Sequence, residues 1–173
     1  MNEVYETILS RRSIRAFKEQ KISKEDLMTI AKAGVHAPSG MNRQSWKFTI
    51  IQQQDKIQTL AKVVAKVLEK GNSYNFYQPD ALILVSNDRE NSNGLADSAC
   101  ALENMFLMAH SMGIGSVWIN QLKTICDEPE IRELLDSYEI PSNHIVYGIA
   151  ALGYAKEEGK PKEKDESVIH FVE

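Results

Sequence analysis

The sequence predicts one domain, residues 1–173, in which helices and strands alternate around a buried core. Three stretches carry that prediction. Ile57, Leu60, Ala61, Val64, Val67 and Leu68 recur at helical spacing, so residues 55–70 form an amphipathic helix. Ala81, Leu82, Ile83, Leu84 and Val85 make a short continuous apolar run, the pattern of a fully buried strand. Residues 97–112 are apolar almost all round, from Ala99 and Cys100 to Met108 and Met112, so that helix needs cover on most sides. One layer of a domain this small falls short of that, which points to a subunit interface.

The remaining elements follow in order. Residues 3–10 read as a short helix whose apolar face is Val4 and Ile8, with Tyr5 and Leu9 beside them. Ser23 is placed to cap a second helix, with Glu25 and Asp26 at its positive end and Leu27, Ile30, Ala31 and Gly34 on its apolar face. That helix must stop near residues 34–36, because Pro38 disfavours helix just before it. A polar loop from Ala37 to Trp46 leads into a strand over 47–52, where Phe48 and Ile50 alternate with Lys47 and Thr49. The loop over 71–79 is rich in amides and aromatics, either bordering a planar ligand or simply lying on the surface. Gly113 ends the long apolar helix, and a strand follows over 117–120. A short helix over 130–135 starts next to Pro129, and the last core strand covers 145–152. The tail then turns charged, though Ile169 and Phe171 suggest that its end docks on something.

Twenty Lys and Arg stand against 24 Asp and Glu, a formal charge of −4, which gives no basic excess for nucleic acid or an anionic membrane. No apolar run is long enough to span a bilayer, and residues 1–6 are too acidic and mixed for a signal peptide. Cys100 and Cys126 show no metal-type spacing, and Cys100 reads as a small core residue; a reduced cytoplasmic protein is the simplest reading. His36, His110, His144 and His170 show no metal spacing either, and His110 reads as a satisfied core histidine. No phosphate-binding glycine loop and no nucleophile motif is present. An enzyme without such groups is one whose chemistry belongs to a bound cofactor.

The stretch that organises this reading is Ser10-Arg11-Arg12-Ser13-Ile14-Arg15-Ala16-Phe17. Arginines grip phosphate through two parallel hydrogen bonds, and serine hydroxyls add neutral ones. Interleaved Ile14 and Phe17 pin such a segment inward. It is either a phosphate site or a surface arginine cluster. The loop Pro38-Ser39-Gly40-Met41-Asn42-Arg43-Gln44 offers amides and hydroxyls with little charge, which suits a polar heteroaromatic edge. A plain connection has the same composition.

Taken together, the motifs resemble those of the FMN-dependent nitroreductase family in its short form. The arginine stretch resembles its N-terminal phosphate motif, residues 37–46 its Pro-Ser-x-x-Asn-x-Gln-x-Trp loop, and residues 113–119 its Gly-x-Gly-x-x-Trp segment. Gly153-Tyr154 with Lys162 and Lys164 resembles its C-terminal basic clamp, with Lys164 where arginine is common. The order is preserved over nearly the whole chain. The resemblance implies an α+β three-layer sandwich, a mostly antiparallel sheet flanked by helices, working as an intertwined homodimer with FMN at the interface. It implies that Arg11, Arg12, Ser13 and Arg15 hold phosphate and ribityl together with Lys162 and Lys164. Pro38, Ser39, Gly40 and Asn42 would reach the ring from the partner subunit, with Gln44 near. Ile119, Asn120 and Gln121 would lie along the ring. NADH or NADPH would pass a hydride to flavin N5, and a nitroaromatic, quinone or similar acceptor would then take the electrons in ping-pong order. Arg15 is the expected stabiliser of reduced FMN, and no side chain is expected as a catalytic acid. A flavin-sensing module with little turnover is the alternative, and a scaffold for some other anionic ligand is a third.

Overall fold

The computed structural model describes residues 2–71 and 73–173; Met1 of the N-terminal stretch and Asn72 of the 71–79 loop lie outside the described residues. Among the described residues, five α-helices and four strands follow the chain as α1 (Glu3–Ser10), α2 (Lys24–Val35), β1 (Trp46–Ile51), α3 (Gln54–Val67), β2 (Ala81–Asp88), α4 (Gly94–Ser111), β3 (Gly115–Ile119), α5 (Pro129–Ser137) and β4 (His144–Gly153). The sheet order is β1-β2-β4-β3, and every neighbouring pair is antiparallel.

Helices cover both faces of the sheet, which makes three layers. On one face, α3 (Ile57, Leu60, Val64) and α5 (Ile131, Leu135) pack on Leu82, Leu84, Val117, Ile149 and Ala151. On the other, α2 (Leu27, Ile30) and α4 (Leu102, Met105, Phe106) pack on Ile83, Val85, Ala150 and Leu152. This explains why β2 is buried from Ala81 to Asn87, and apolar without alternation from Ala81 to Val85: it is central and covered twice. The register slips between Val85, opposite Gly148, and Ser86, opposite Val146, so Tyr147 is an extra residue. The slip puts Val146 and Ile149, three apart in sequence, in the same cluster.

Local signals account for most boundaries. Ser23 Oγ accepts the Asp26 N–H at 3.0 Å and starts α2, whose buried residues are Leu27, Ile30, Ala31 and Gly34. Asn2 Oδ1 caps α1 by accepting the Val4 and Tyr5 N–H groups. Gly113 has φ +72° where α4 turns into β3.

One reading needs correction. Cys100 is exposed, not a core residue, because the surface of α4 that carries it faces away from the sheet. α1 buries none of its residues, so the face of Val4, Tyr5, Ile8 and Leu9 stays open within the chain. The tail residues Ile169 and Phe171 are also open, at 77 % and 81 % exposure. Among the described residues no helix is long and apolar enough to cross a membrane.

Candidate functional site

The arginine stretch leaves α1 in an extended conformation and is laced to the edge of the sheet. Ile14 N–H donates to Ser116 O at 2.9 Å, Lys18 N–H to Tyr154 O at 2.8 Å, and Lys156 N–H to Ala16 O at 2.9 Å. Ile14 is buried against Gly115, and Phe17 lies across Gly153. Pinning these two apolar side chains turns the residues between them toward one cavity of about 480 Å³. Its walls are residues 11–16 on one side and residues 157–160, Lys162 and Lys164 on the other. Gly159 allows the walls to approach, since a Cβ there would sit 2.2 Å from Arg12 Cβ.

The cavity gathers Arg11, Arg12, Arg15, Lys160, Lys162 and Lys164 against Glu157 and Glu158. Arg11 Nε stands 3.7 Å from Glu103 Oε1, and its guanidinium lies 5.9 Å from the Phe106 ring centroid. Arg12 Nη1 donates to the carbonyls of Leu9 and Arg11. Arg15 stacks over Tyr77 at 5.9 Å. Among the described residues, Arg12, Arg15, Lys160, Lys162 and Lys164 have no carboxylate at ion-pair distance. Such a set repels itself until an anion enters. His110 closes the base of the stretch, its Nε2 at 2.8 Å from Ser10 Oγ. Burial, reinforced by Arg11 and Arg12, holds its pKa below the usual histidine value.

The second predicted group lies elsewhere. Residues 39–44 fold as a tight turn with Met41, Asn42 and Gln44 at φ 53°, 54° and 49°, three non-glycine residues in the left-handed region. Gly40 N–H donates to Asp97 Oδ1 at 2.9 Å, which fixes the turn to the start of α4. Pro38, Asn42 and Gln44 are exposed, Ser39 and Gly40 partly so, and Gln44 Nε2 donates to Asn42 Oδ1 at 2.9 Å. The turn and the cationic cavity sit at opposite ends of the sheet. Asn87, beside the turn, pairs with Ile145, while Ser116, beside the cavity, pairs with Leu152. Seven residues of β4 separate those rungs, roughly 23 Å of strand.

Ile119, Asn120 and Gln121 line neither region. The Ile119 side chain is buried in the α3–α5 core, Asn120 is exposed, and Gln121 Oε1 is buried without a hydrogen-bond donor. Sequence reasoning missed Lys160 and Tyr77. The spacing Lys160-x-Lys162-x-Lys164 was a signal, because an extended chain turns alternate residues to one side. Tyr77 belongs to the aromatic-rich 71–79 loop, which the sequence left open between a ligand border and plain surface; it rests on three consecutive left-handed residues, Phe76, Tyr77 and Gln78.

The chain is similar to a nitroreductase with bound FMN from Bacteroides fragilis, with 41 % identity, a TM-score of 0.92 and all of both chains covered. A nitroreductase with bound FMN from Desulfitobacterium hafniense is 27 % identical with a TM-score of 0.91, again over both whole chains. The NADPH-flavin oxidoreductase of Vibrio harveyi is 30 % identical over 182 residues, covering 98 % of this chain and 74 % of that one. The model of the nitroreductase family matches residues 8–154, a span running from the last turn of α1 through β4, and the chain belongs to that family.

Proposed function

We propose that this chain is an NAD(P)H-dependent FMN oxidoreductase that acts as a homodimer. The observation that carries the reading is the cationic cavity, in which, among the described residues, five of six cations have no carboxylate at ion-pair distance and a serine hydroxyl stands among them. The donor set fits a phosphate monoester: guanidinium forks, ammonium groups and the Ser13 hydroxyl. Arg11, Arg12, Ser13 and Arg15 hold the phosphate and ribityl, with Lys162 and Lys164 closing the other wall. When bound, FMN supplies the redox chemistry, taking electrons from NADH or NADPH and passing them to an oxidised acceptor.

The protein's part is to bind, orient and polarise. Arg15, steadied on Tyr77, puts fixed positive charge where negative charge develops during reduction. Pro38, Ser39, Gly40, Asn42 and Gln44 serve the ring of the FMN held by the partner. The separation along β4 supports this, because the turn does not share a cavity with its own chain's arginines. Asn120, Gln121 and the Ile119 backbone lie along the ring, and the orphaned Gln121 Oε1 supports a polar ligand there. Nicotinamide donor and acceptor, a nitroaromatic, quinone or similar compound, take turns at one face in ping-pong order. No acid from this chain is required, since water supplies the acceptor's protons. Both cysteines are free, which suits a reducing cytoplasm.

The test is the visible absorption spectrum of the purified protein, before and after anaerobic NADH and NADPH. Flavin bands that bleach with either nucleotide are expected. Bands that persist would favour a flavin-sensing module, and protein that takes up no FMN on reconstitution would overturn the reading.

A further inference from the structure

The 39–44 turn holds three non-glycine residues in the left-handed region, a conformation that persists only where its surroundings over-determine it. Those surroundings are a polar network centred on a carboxylate. Asp97 is 5 % exposed, and among the described residues no cation pairs with it. Its Oδ1 accepts the Gly40 N–H at 2.9 Å, and its Oδ2 accepts Asn91 Nδ2–H at 3.0 Å. Asn91 Nδ2 also donates to Ser45 Oγ at 3.0 Å, and Ser45 Oγ donates to Asn87 Oδ1 at 2.7 Å. Asn91 Oδ1 accepts the Asn93 N–H at 3.0 Å, which fixes which edge of that amide faces Asp97. Gly40 lies flush on Asn93, where a Cβ would come within 2.3 Å of Asn93 Nδ2.

The network therefore clamps both ends of the turn, Gly40 and Ser45, to β2 and the start of α4, and leaves Asn42 and Gln44 facing outward. A buried carboxylate without a cation is a poor choice for stability alone. We infer that Asp97 is a positioning residue for flavin recognition: it holds the strained turn in the shape that presents Asn42 and Gln44 to the ring of the FMN bound by the partner. This rests on the oxidoreductase reading above and adds the residue that sets the turn. The donor pattern makes the carboxylate specific. An asparagine at position 97 has one acceptor and one donor, so it meets either Gly40 N–H or Asn91 Nδ2–H with a like group. Exchanging the two partners, Asp97→Asn with Asn91→Asp, restores a donor–acceptor match between them.

The experiment is titration of apo-protein with FMN and with riboflavin, which lacks the phosphate. A fault in the turn weakens both ligands by the same factor, whereas a fault in the cationic cavity weakens FMN more than riboflavin, because the phosphate contacts count for FMN only. For Asp97→Asn we expect both dissociation constants to rise about tenfold, the scale of one lost hydrogen bond, with their ratio unchanged. We expect the exchanged double variant to recover most of that loss. Asn91→Ala keeps the Gly40 contact and serves if Asp97→Asn does not fold; it should weaken both flavins by a smaller common factor. Wild-type affinities in the folded variant, or a loss larger for FMN than for riboflavin, would overturn the inference while leaving the oxidoreductase reading intact. Wild-type protein that binds neither flavin would overturn that reading, and this inference with it.

Discussion

At the residue scale the site depends on close approach and on charge. Gly159 lets the second wall of the cavity lie on Arg12, with 2.2 Å between a hypothetical Cβ and the arginine's own. Gly159→Val should displace that wall and weaken FMN at least tenfold, the order of one charge-assisted hydrogen bond, while riboflavin affinity and thermal unfolding of the apo-protein stay unchanged. Parallel titrations with the two flavins read this directly. Charge also sets a pH dependence. Burial is the main cause that holds His110 and His144 below the usual histidine value, with Arg11 and Arg12 adding to it at His110. A histidine depressed in the folded state binds its proton more readily when unfolded, so stability rises with pH across that range. The contribution is complete above the ordinary histidine value of about 6.5 and is lost as pH falls through the lower, folded values. Urea midpoints should be flat from about pH 8 to 7 and decline below about 6.5, and His110→Gln should make that decline shallower.

At the element scale the important piece is not a regular element. The extended run from Arg11 to Phe17 gains its shape from β3 and from the chain after β4, through the Ile14–Ser116, Lys18–Tyr154 and Lys156–Ala16 bonds. Phe17 fits because Gly153 has no side chain: a Cβ there would lie 2.7 Å from Phe17 Cδ1 and 2.9 Å from its Cγ. Gly153→Ala should destabilise by about 1–3 kcal/mol, as overpacking does, and loosen FMN by freeing the cavity's first wall; denaturant unfolding and flavin titration measure the two effects. Such dependence marks what was legible in the sequence. α2 and α3 were readable because cap and periodicity are local, and the predicted 55–70 helix differs from Gln54–Val67 mainly where Glu69 turns to φ 51°. α4 begins at Gly94, three residues before the expected start. Asp97, the expected first residue, lies in the first turn and works there as a buried acceptor. The arginine and lysine groups were legible as cation-rich segments, the chemistry proposed to hold a phosphate. That one cavity contains both, while the 39–44 turn lies beside a rung seven residues farther along β4, follows from the sheet order β1-β2-β4-β3, which no local pattern encodes.

At the scale of the whole molecule, a single chain leaves too much apolar surface open. Val4, Tyr5, Ile8 and Leu9 on α1, Met41 in the turn, Trp118 on β3 and Val168, Ile169, Phe171 and Val172 in the tail are all 48 % or more exposed, the tail residues above three-quarters. Exposed apolar residues are ordinary when scattered, but a whole helix face and an apolar tail mark contact surfaces. The tail packs into neither core cluster of its own chain, so removing it costs that chain's fold little. Deleting residues 165–173 should therefore leave the thermal unfolding of the separated subunit nearly unchanged and raise the dimer dissociation constant, measured by sedimentation over a concentration series. If the partner's turn serves the ring, as proposed, FMN retention should fall in step with the dimer fraction, even though every arginine and lysine of the cavity remains. Dissociated subunits that keep FMN at full affinity would show that one chain completes the site alone. Loss of flavin on dilution, recovered at high protein concentration, would tie the cofactor to the assembly, because mass action couples any ligand of the dimer to subunit association.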